Sequence, residues 1–128
     1  MIKGKILVMD DEDLVRTVTG KMLEYLGYQV VLAKNGEEAL NLYQTHQSGG
    51  HSFDAAILDW LVSDGMDGYR TMEALLQIDP AAKGVLASGF NQGEESKRLS
   101  SLGFSGIIDK PYELKSLEAI LASVLGKR

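Results

Sequence analysis

A handful of positions in this sequence carry groups that could act together on one chemistry: the acidic run Asp10-Asp11-Glu12-Asp13, then Asp59, Ser88 and Lys110. Each stands at the end of a short apolar run. Lys5-Ile6-Leu7-Val8-Met9 leads into Asp10, Asp54-Ala55-Ala56-Ile57-Leu58 into Asp59, Lys83-Gly84-Val85-Leu86-Ala87 into Ser88, and Ser105-Gly106-Ile107-Ile108-Asp109 into Lys110. Crowded carboxylates repel one another and suit a hard divalent cation such as Mg²⁺, which takes oxygen ligands. An ammonium and a hydroxyl can both donate to an anionic oxygen. Gathered around Asp59, these groups make a receptor for a phosphoryl group with a carboxylate placed as its nucleophile. Taken singly, each has an ordinary explanation: acidic residues favour the start of a helix, serine suits a turn, and lysine ends a strand in water. Their joint appearance at four such run ends carries the argument.

The elements that must position these residues follow from periodicity. The four apolar runs, together with Gln29-Val30-Val31-Leu32-Ala33, read as strands, the run into Asp10 as a buried one and the run into Asp59 as one buried on both faces of a sheet. Helical stripes separate them. Leu14, Val15, Val18, Met22 and Leu26 predict a first helix stopped at Gly27, and Ala39, Leu40 and Tyr43 a second behind the capping sequence Asn35-Gly36-Glu37-Glu38. Tyr69, Met72, Leu75 and Leu76 predict a third helix ending before Asp79-Pro80, and Leu114, Leu117, Ile120, Leu121 and Val124 a final one. Between these two, Gly93 to Leu102 reads as a helix with few apolar residues and is expected to be the most mobile element. Five strands alternating with five helices imply an α/β fold with a parallel, doubly wound sheet and right-handed crossovers. In such a sheet the C-terminal strand ends meet at one edge, which would bring Asp10, Asp11, Asp59, Ser88 and Lys110 together.

Composition narrows the function. At 128 residues, 45% of them apolar, the chain is expected to form one domain over 1–128 with its core at about 4–125. The net charge of −5, without a cluster of Lys or Arg, argues against nucleic acid or an anionic membrane as partner. There is no cysteine for a disulfide or thiolate site, and no apolar run of membrane-spanning length, so the expected location is the cytoplasm. His46 and His51, on polar ground beside the loop Ser48-Gly49-Gly50-His51-Ser52, read as surface histidines rather than metal ligands. An acidic rather than glycine-rich loop after the first strand speaks against a nucleotide binder. A small aspartyl-phosphate phosphatase or phosphotransferase would need an added acid/base residue and a cap, for which the chain is short. A docking module that is never phosphorylated would not need Ser88 and Lys110 beside the acidic set.

The residues ILVMDDE, ILDW followed by MDG, ASG and KP, in this order and on these elements, resemble the receiver domains of two-component response regulators over essentially the whole chain. The resemblance implies a flavodoxin-like (βα)5 fold with strand order 2-1-3-4-5. It also implies that Asp59 takes a phosphoryl group from a histidine kinase or histidine phosphotransfer protein, the receiver catalysing its own phosphorylation and dephosphorylation. By the same resemblance Asp10, Asp11, Asp59 and the main-chain carbonyl of Leu61 hold Mg²⁺, Ser88 and Lys110 contact the phosphoryl oxygens, and Lys110-Pro111 is a cis peptide. Receivers switch through Ser88 and the position of Ile107, usually aromatic, changing the surface around the fourth helix, fifth strand and fifth helix; a phosphorylation-dependent homodimer belongs to the same picture. Two features depart from the usual pattern: Ile107 is aliphatic, and the loop WLVSDGMDG is one residue longer and lacks a Met-Pro pair. Similar features occur in receivers attached to hybrid sensor histidine kinases, so the chain resembles that subgroup most.

Overall fold

In a computed structural model, residues 3–60, 67–88 and 103–126 are described. Five parallel strands form one sheet: β1 (Lys5–Met9), β2 (Gln29–Ala33), β3 (Ala55–Asp59), β4 (Gly84–Ser88) and β5 (Gly106–Asp109), in the order β2-β1-β3-β4-β5. Among the described residues four helices connect them: α1 (Asp13–Tyr25), α2 (Gly36–Ser48), α3 (Gly68–Ile78) and α4 (Leu114–Leu125). The helix expected over 93–102 and most of the loop after Asp59 lie outside the described residues.

Strand alternation explains the two layers. Leu7, Met9, Ala56, Leu58 and Leu86 face one way and bury Ala39 and Tyr43 of α2 with Met72 and Leu75 of α3. Ile6, Val8, Ala55, Ile57, Val85 and Ala87 face the other way and bury Leu23 of α1 with Leu117 and Leu121 of α4. A sheet covered on both faces has no room for polar alternation, which is why its strands read as continuous apolar runs. Two helices start on side-chain caps: Asn35 accepts from the Glu38 amide and Asp67 from the Arg70 amide, both at 2.9 Å. Each such cap contributes about 1 kcal/mol.

The apolar stripe expected on α1 needs correction. Leu14 and Val18 are 75% and 47% exposed, while Thr19, Gly20 and Leu23 are buried. The cause lies in Gly20, where a Cβ would stand 3.4 Å from Leu32. With no side chain there, the helix backbone settles close to β2. Burial therefore rotates away from Leu14 and Val18, and α1 carries a second apolar stripe that faces outward.

Candidate functional site

Register builds the site before any side chain is considered. Met9 pairs with Leu58 across β1 and β3, so Asp10 and Asp59 emerge side by side from adjacent strands. Asp59 pairs with Ala87, which puts Ser88 one residue further along β4, and Ser88 pairs with Asp109, immediately before Lys110. All four chemistry-bearing strand ends thus meet at the C-terminal edge of the sheet. Gly68 then brings α3 against the same point, since a Cβ there would come within 2.4 Å of the Asp59 carbonyl oxygen.

The side chains close the arrangement. Lys110 Nζ donates to Asp10 Oδ2 at 2.7 Å and to Asp59 Oδ1 at 2.8 Å. The other Asp10 oxygen accepts from the Glu12 amide at 2.9 Å, and the Asp10 carbonyl from Arg16 at 2.7 Å. Asp10 is 1% exposed and Asp59 6%. Carboxyl oxygens of Asp10, Asp11 and Asp59 all lie within 4.8 Å of one another. Burial, aided by the charges of Asp10 and Asp11, pushes the Asp59 carboxyl up to about 6 even though Lys110 pulls it down. Burial alone would lower the Lys110 ammonium, but its hydrogen bonds to Asp10 and Asp59 and their charges outweigh this and leave it raised.

Three carboxylates against one ammonium leave an excess of negative charge in a largely desolvated place, and the available donors are all carboxylate oxygens. That combination fits a hard divalent cation of the Mg²⁺ class, with Asp10, Asp11 and Asp59 as the acidic cluster that could hold it. Ser88 sits at the end of β4 and is 1% exposed. Ile107 lies on β5, partly buried and packed against the Leu86 side of the core. Lys110-Pro111 is cis, as the resemblance implied. Leu61 lies outside the described residues.

Sequence reading missed three contributors. Gly68 entered only as part of the MDG segment, and only the approach of α3 to Asp59 reveals its steric role. Arg16 reaches back to the Asp10 carbonyl and the Asp13 carboxylate, a spacing that fits one turn of helix but predicts nothing about strand β1. Tyr112, directly after the Lys-Pro pair, feels the charges of Lys110, Asp10 and Asp59 and lines one groove with Thr19 and Lys110. Its position next to Lys110 was the available signal.

Comparison with known proteins agrees with this fold. Residues 6–122 match the family model "Response regulator receiver domain". The chain is 33% identical over 127 residues to the "Probable transcriptional regulator ycf27" of Porphyridium aerugineum, covering 98% of this chain and 49% of that protein. It is 30% identical to "Sensor kinase CckA" of Brucella abortus, covering 96% of this chain and 13% of the kinase. The chain therefore spans about half the length, or less, of these curated relatives. Among solved structures, a CheY-like receiver domain protein from Methanospirillum hungatei superposes with a TM-score of 0.82 at 25% identity, covering 96% of this chain and 94% of that one. Vibrio cholerae CheY4 shares the fold at a TM-score of 0.83 and 24% identity, over 95% and 98% of the two chains. The chain belongs to the response regulator receiver domain family, the phosphoacceptor modules of two-component signalling.

Proposed function

We propose that Asp59 is the residue that takes the phosphoryl group, from a phosphohistidine on a histidine kinase or histidine phosphotransfer protein. The observation that carries this reading is the position of Lys110, whose ammonium stands 2.7 and 2.8 Å from one oxygen each of Asp10 and Asp59. An ionised Asp59 oxygen attacks phosphorus, the P–O bond to Asp59 forms as the P–N bond to the donor imidazole breaks, and the imidazole leaves with a proton taken from solvent. Lys110 holds a positive charge beside the nucleophile and is placed to follow a phosphoryl oxygen once Asp59 gives up its own charge. Ser88 is placed to donate its hydroxyl to another of those oxygens. Asp10, Asp11 and Asp59, joined by the main-chain carbonyl of Leu61, would hold Mg²⁺. The bound cation supplies charge neutralisation to the crowded carboxylates and to the phosphoryl oxygens.

On this reading the receiver catalyses its own phosphorylation, and water later reverses it by attack on the same phosphorus. The switch runs from Ser88 to Ile107, where an aliphatic side chain packed in the core replaces a rotating aromatic, so a change in packing rather than ring rotation would carry the signal to the β5–α4 surface. A phosphorylation-dependent homodimer would use that surface. The chain acts as one receiver unit over 1–128, acidic and cysteine-free, and is placed in the cytoplasm. Its likeness to part of a sensor kinase and its long loop after Asp59 support assignment to the receivers of hybrid sensor histidine kinases.

The test is incubation with acetyl phosphate and Mg²⁺, followed by intact-mass measurement of the wild type and Asp59→Asn. One phosphate adduct is expected on the wild type and none on the variant. An unmodified wild type would instead support a docking module, and an adduct on Asp59→Asn would move the nucleophile elsewhere.

A further inference from the structure

The acidic run at the end of β1 poses a sorting problem. Asp10, Asp11, Glu12 and Asp13 follow one another, yet it is Asp10 and Asp11 that stand with Asp59 in the cluster of carboxyl oxygens within 4.8 Å of one another. Hydrogen bonds fix Asp10 from several sides. Its amide donates to the Ala33 carbonyl at 3.1 Å, and its carboxylate oxygens accept from the Glu12 amide and the Lys110 ammonium. The remaining polar group is the Asp10 carbonyl. No main-chain amide among the described residues reaches it, and Arg16 Nη1 donates to it at 2.7 Å. The other arm of the guanidinium, Nη2, bonds to Asp13 Oδ1. Only 13% of the Arg16 side chain is exposed, against 88% for Asp13. Arg16 thus spans the turn from strand to helix, one arm on the residue that leaves β1 and the other on the first residue of α1.

We propose that Arg16 is a positioning residue for the divalent cation, holding the Asp10 carbonyl so that the Asp10 carboxylate stays with those of Asp11 and Asp59. The inference rests on the reading of these three carboxylates as a Mg²⁺ site. Carbonyl and carboxylate belong to one residue that is 1% exposed, so neither moves without the other. A buried carbonyl deprived of its donor must turn to find another, and the carboxylate turns with it. Two effects of Arg16 then oppose each other. Its positive charge, beside a residue of the cluster, repels a cation through space, whereas its hydrogen bond orients the group that would receive the cation. An outer partner that orients a metal ligand is worth roughly 10- to 100-fold in affinity, while a charge open to solvent on one side is screened by salt. Positioning therefore wins, and a cationic side chain strengthens the binding of a cation. Asp13 contributes little to this, because an ion pair at the surface holds its partner only weakly.

The experiment is a Mg²⁺ titration of the metal-free protein by isothermal calorimetry, with thermal melts to confirm that each variant folds. Arg16→Met keeps the apolar stem and removes both the charge and the donors. It is expected to raise the Mg²⁺ dissociation constant about tenfold. Charge alone predicts the reverse, tighter binding once a neighbouring cation is gone, so the sign of the change separates the two effects. Arg16→Lys restores a charged donor and should recover most of the loss, and Asp13→Asn should stay within about twofold of the wild type. An Arg16→Met that binds Mg²⁺ as well as the wild type or better, an Arg16→Lys as weak as Arg16→Met, or an Asp13→Asn as weak as either would each overturn the proposal. An independent arm follows the Glu12 amide proton by NMR in metal-free protein, since it rests on Asp10 Oδ1. Arg16→Met should move that signal upfield as the bond loosens, and Arg16→Lys should leave it near the wild-type position; an unmoved signal in Arg16→Met would also overturn the proposal. If the wild type takes up no Mg²⁺, the cation reading itself fails, while the NMR arm still decides whether Arg16 holds the Asp10 turn.

Discussion

The two edges of the sheet both gather charged side chains, yet they differ in kind. At the N-terminal edge a cavity of about 660 Å³ is lined by Lys5, His46, His51 and Asp54 among others. Lys5 bonds to His46 Nδ1, donates to the His51 carbonyl at 2.8 Å, and lies over the Phe53 ring at 4.9 Å. Asp54 accepts from the Lys5 amide at 2.7 Å in the open. The cation has its partners, and His51 and Asp54 remain exposed. At the C-terminal edge, buried carboxylates outnumber the one ammonium that they share, and the Asp59 carboxyl rises to about 6. Room without desolvated charge marks the first edge, and desolvated charge in excess marks the second. It is the second property that equips a site for chemistry.

The sharpest way to break this comparison is Asp59→Asn. Beyond abolishing the phosphate adduct, the substitution should stabilise the fold. The Asp59 carboxyl is raised from 3.8 to about 6, so the folded protein holds this proton more tightly than the unfolded chain does. The stabilisation from the protonated form is complete below pH 3.8 and lost as pH rises through about 6. Above that, the ionised group costs on the order of 3 kcal/mol. In metal-free buffer at pH 7.5 the melting temperature of Asp59→Asn should exceed that of the wild type by several degrees, the gain should vanish towards pH 4, and Mg²⁺ should narrow it by binding the wild type. A variant less stable than wild type at pH 7.5 would mean that Asp59 is a satisfied structural ion.

A pair of glycines extends the contrast into the backbone. At Gly68 a Cβ would stand 2.4 Å from the Asp59 carbonyl oxygen, whereas at Gly49, by the N-terminal edge, the nearest atom would be at 3.4 Å. Gly68→Ala must push α3 or Asp59 aside and should cost about 1–3 kcal/mol, as overpacking does. It should also slow phosphorylation, because the nucleophile's own strand end moves. Gly49→Ala should change neither melting temperature nor phosphorylation measurably. Equal effects from the two alanines would show that proximity to Asp59 is not what demands a glycine.

Most of this was legible beforehand, for identifiable reasons. Strands buried on both faces leave uninterrupted apolar runs, as in β1, β3 and β4, and the shorter apolar runs of the edge strands β2 and β5 were readable too, whereas the strand order came only with the family resemblance. The run ends Asp10, Asp59, Ser88 and Lys110 then had one edge to occupy. What periodicity could not resolve was which of two apolar stripes α1 would bury, because that depended on Gly20 meeting Leu32 across the interface. Nor could it show that His46, expected at the surface, would be half-buried against Phe53, with ring centroids 4.8 Å apart. Tyr112 and Arg16 were overlooked for a related reason. The contacts that tie them to the site, Arg16 with the Asp10 carbonyl and Tyr112 with the charges of Asp10 and Asp59, reach other elements, and local pattern carries no record of them.

Ile107 tests the middle ground between the edges. Partly buried against the core and lacking a polar atom, it contributes packing, so Ile107→Ala should lower stability by about 1–2 kcal/mol through lost contacts. Phosphorylation of the folded variant by acetyl phosphate should stay within a factor of about two, since less than 0.5 kcal/mol separates such rates. A large loss of phosphorylation-dependent partner binding with stability intact would instead show that this position signals by something other than packing.

The smallest effect is expected at the N-terminal edge. Burial, with the charges of Lys5 and His51, lowers the His46 imidazole below its usual 6.5. The unfolded chain therefore takes up this proton before the folded one, and the contribution of His46 is present above pH 6.5 and lost as pH falls through its lowered folded value. Around it stand Lys5 and Phe53 from the sheet side, His51 from the loop and Asp54 at the start of β3. Protonation would set an imidazolium against the Lys5 ammonium and remove the nitrogen lone pair that Lys5 uses. His46→Gln should thus flatten the pH dependence of the melting temperature below 6.5 while leaving phosphorylation of Asp59 at pH 7.5 unchanged. A slower phosphorylation rate in that variant would couple the two edges through β1, and the division between a satisfied edge and a reactive one would no longer hold.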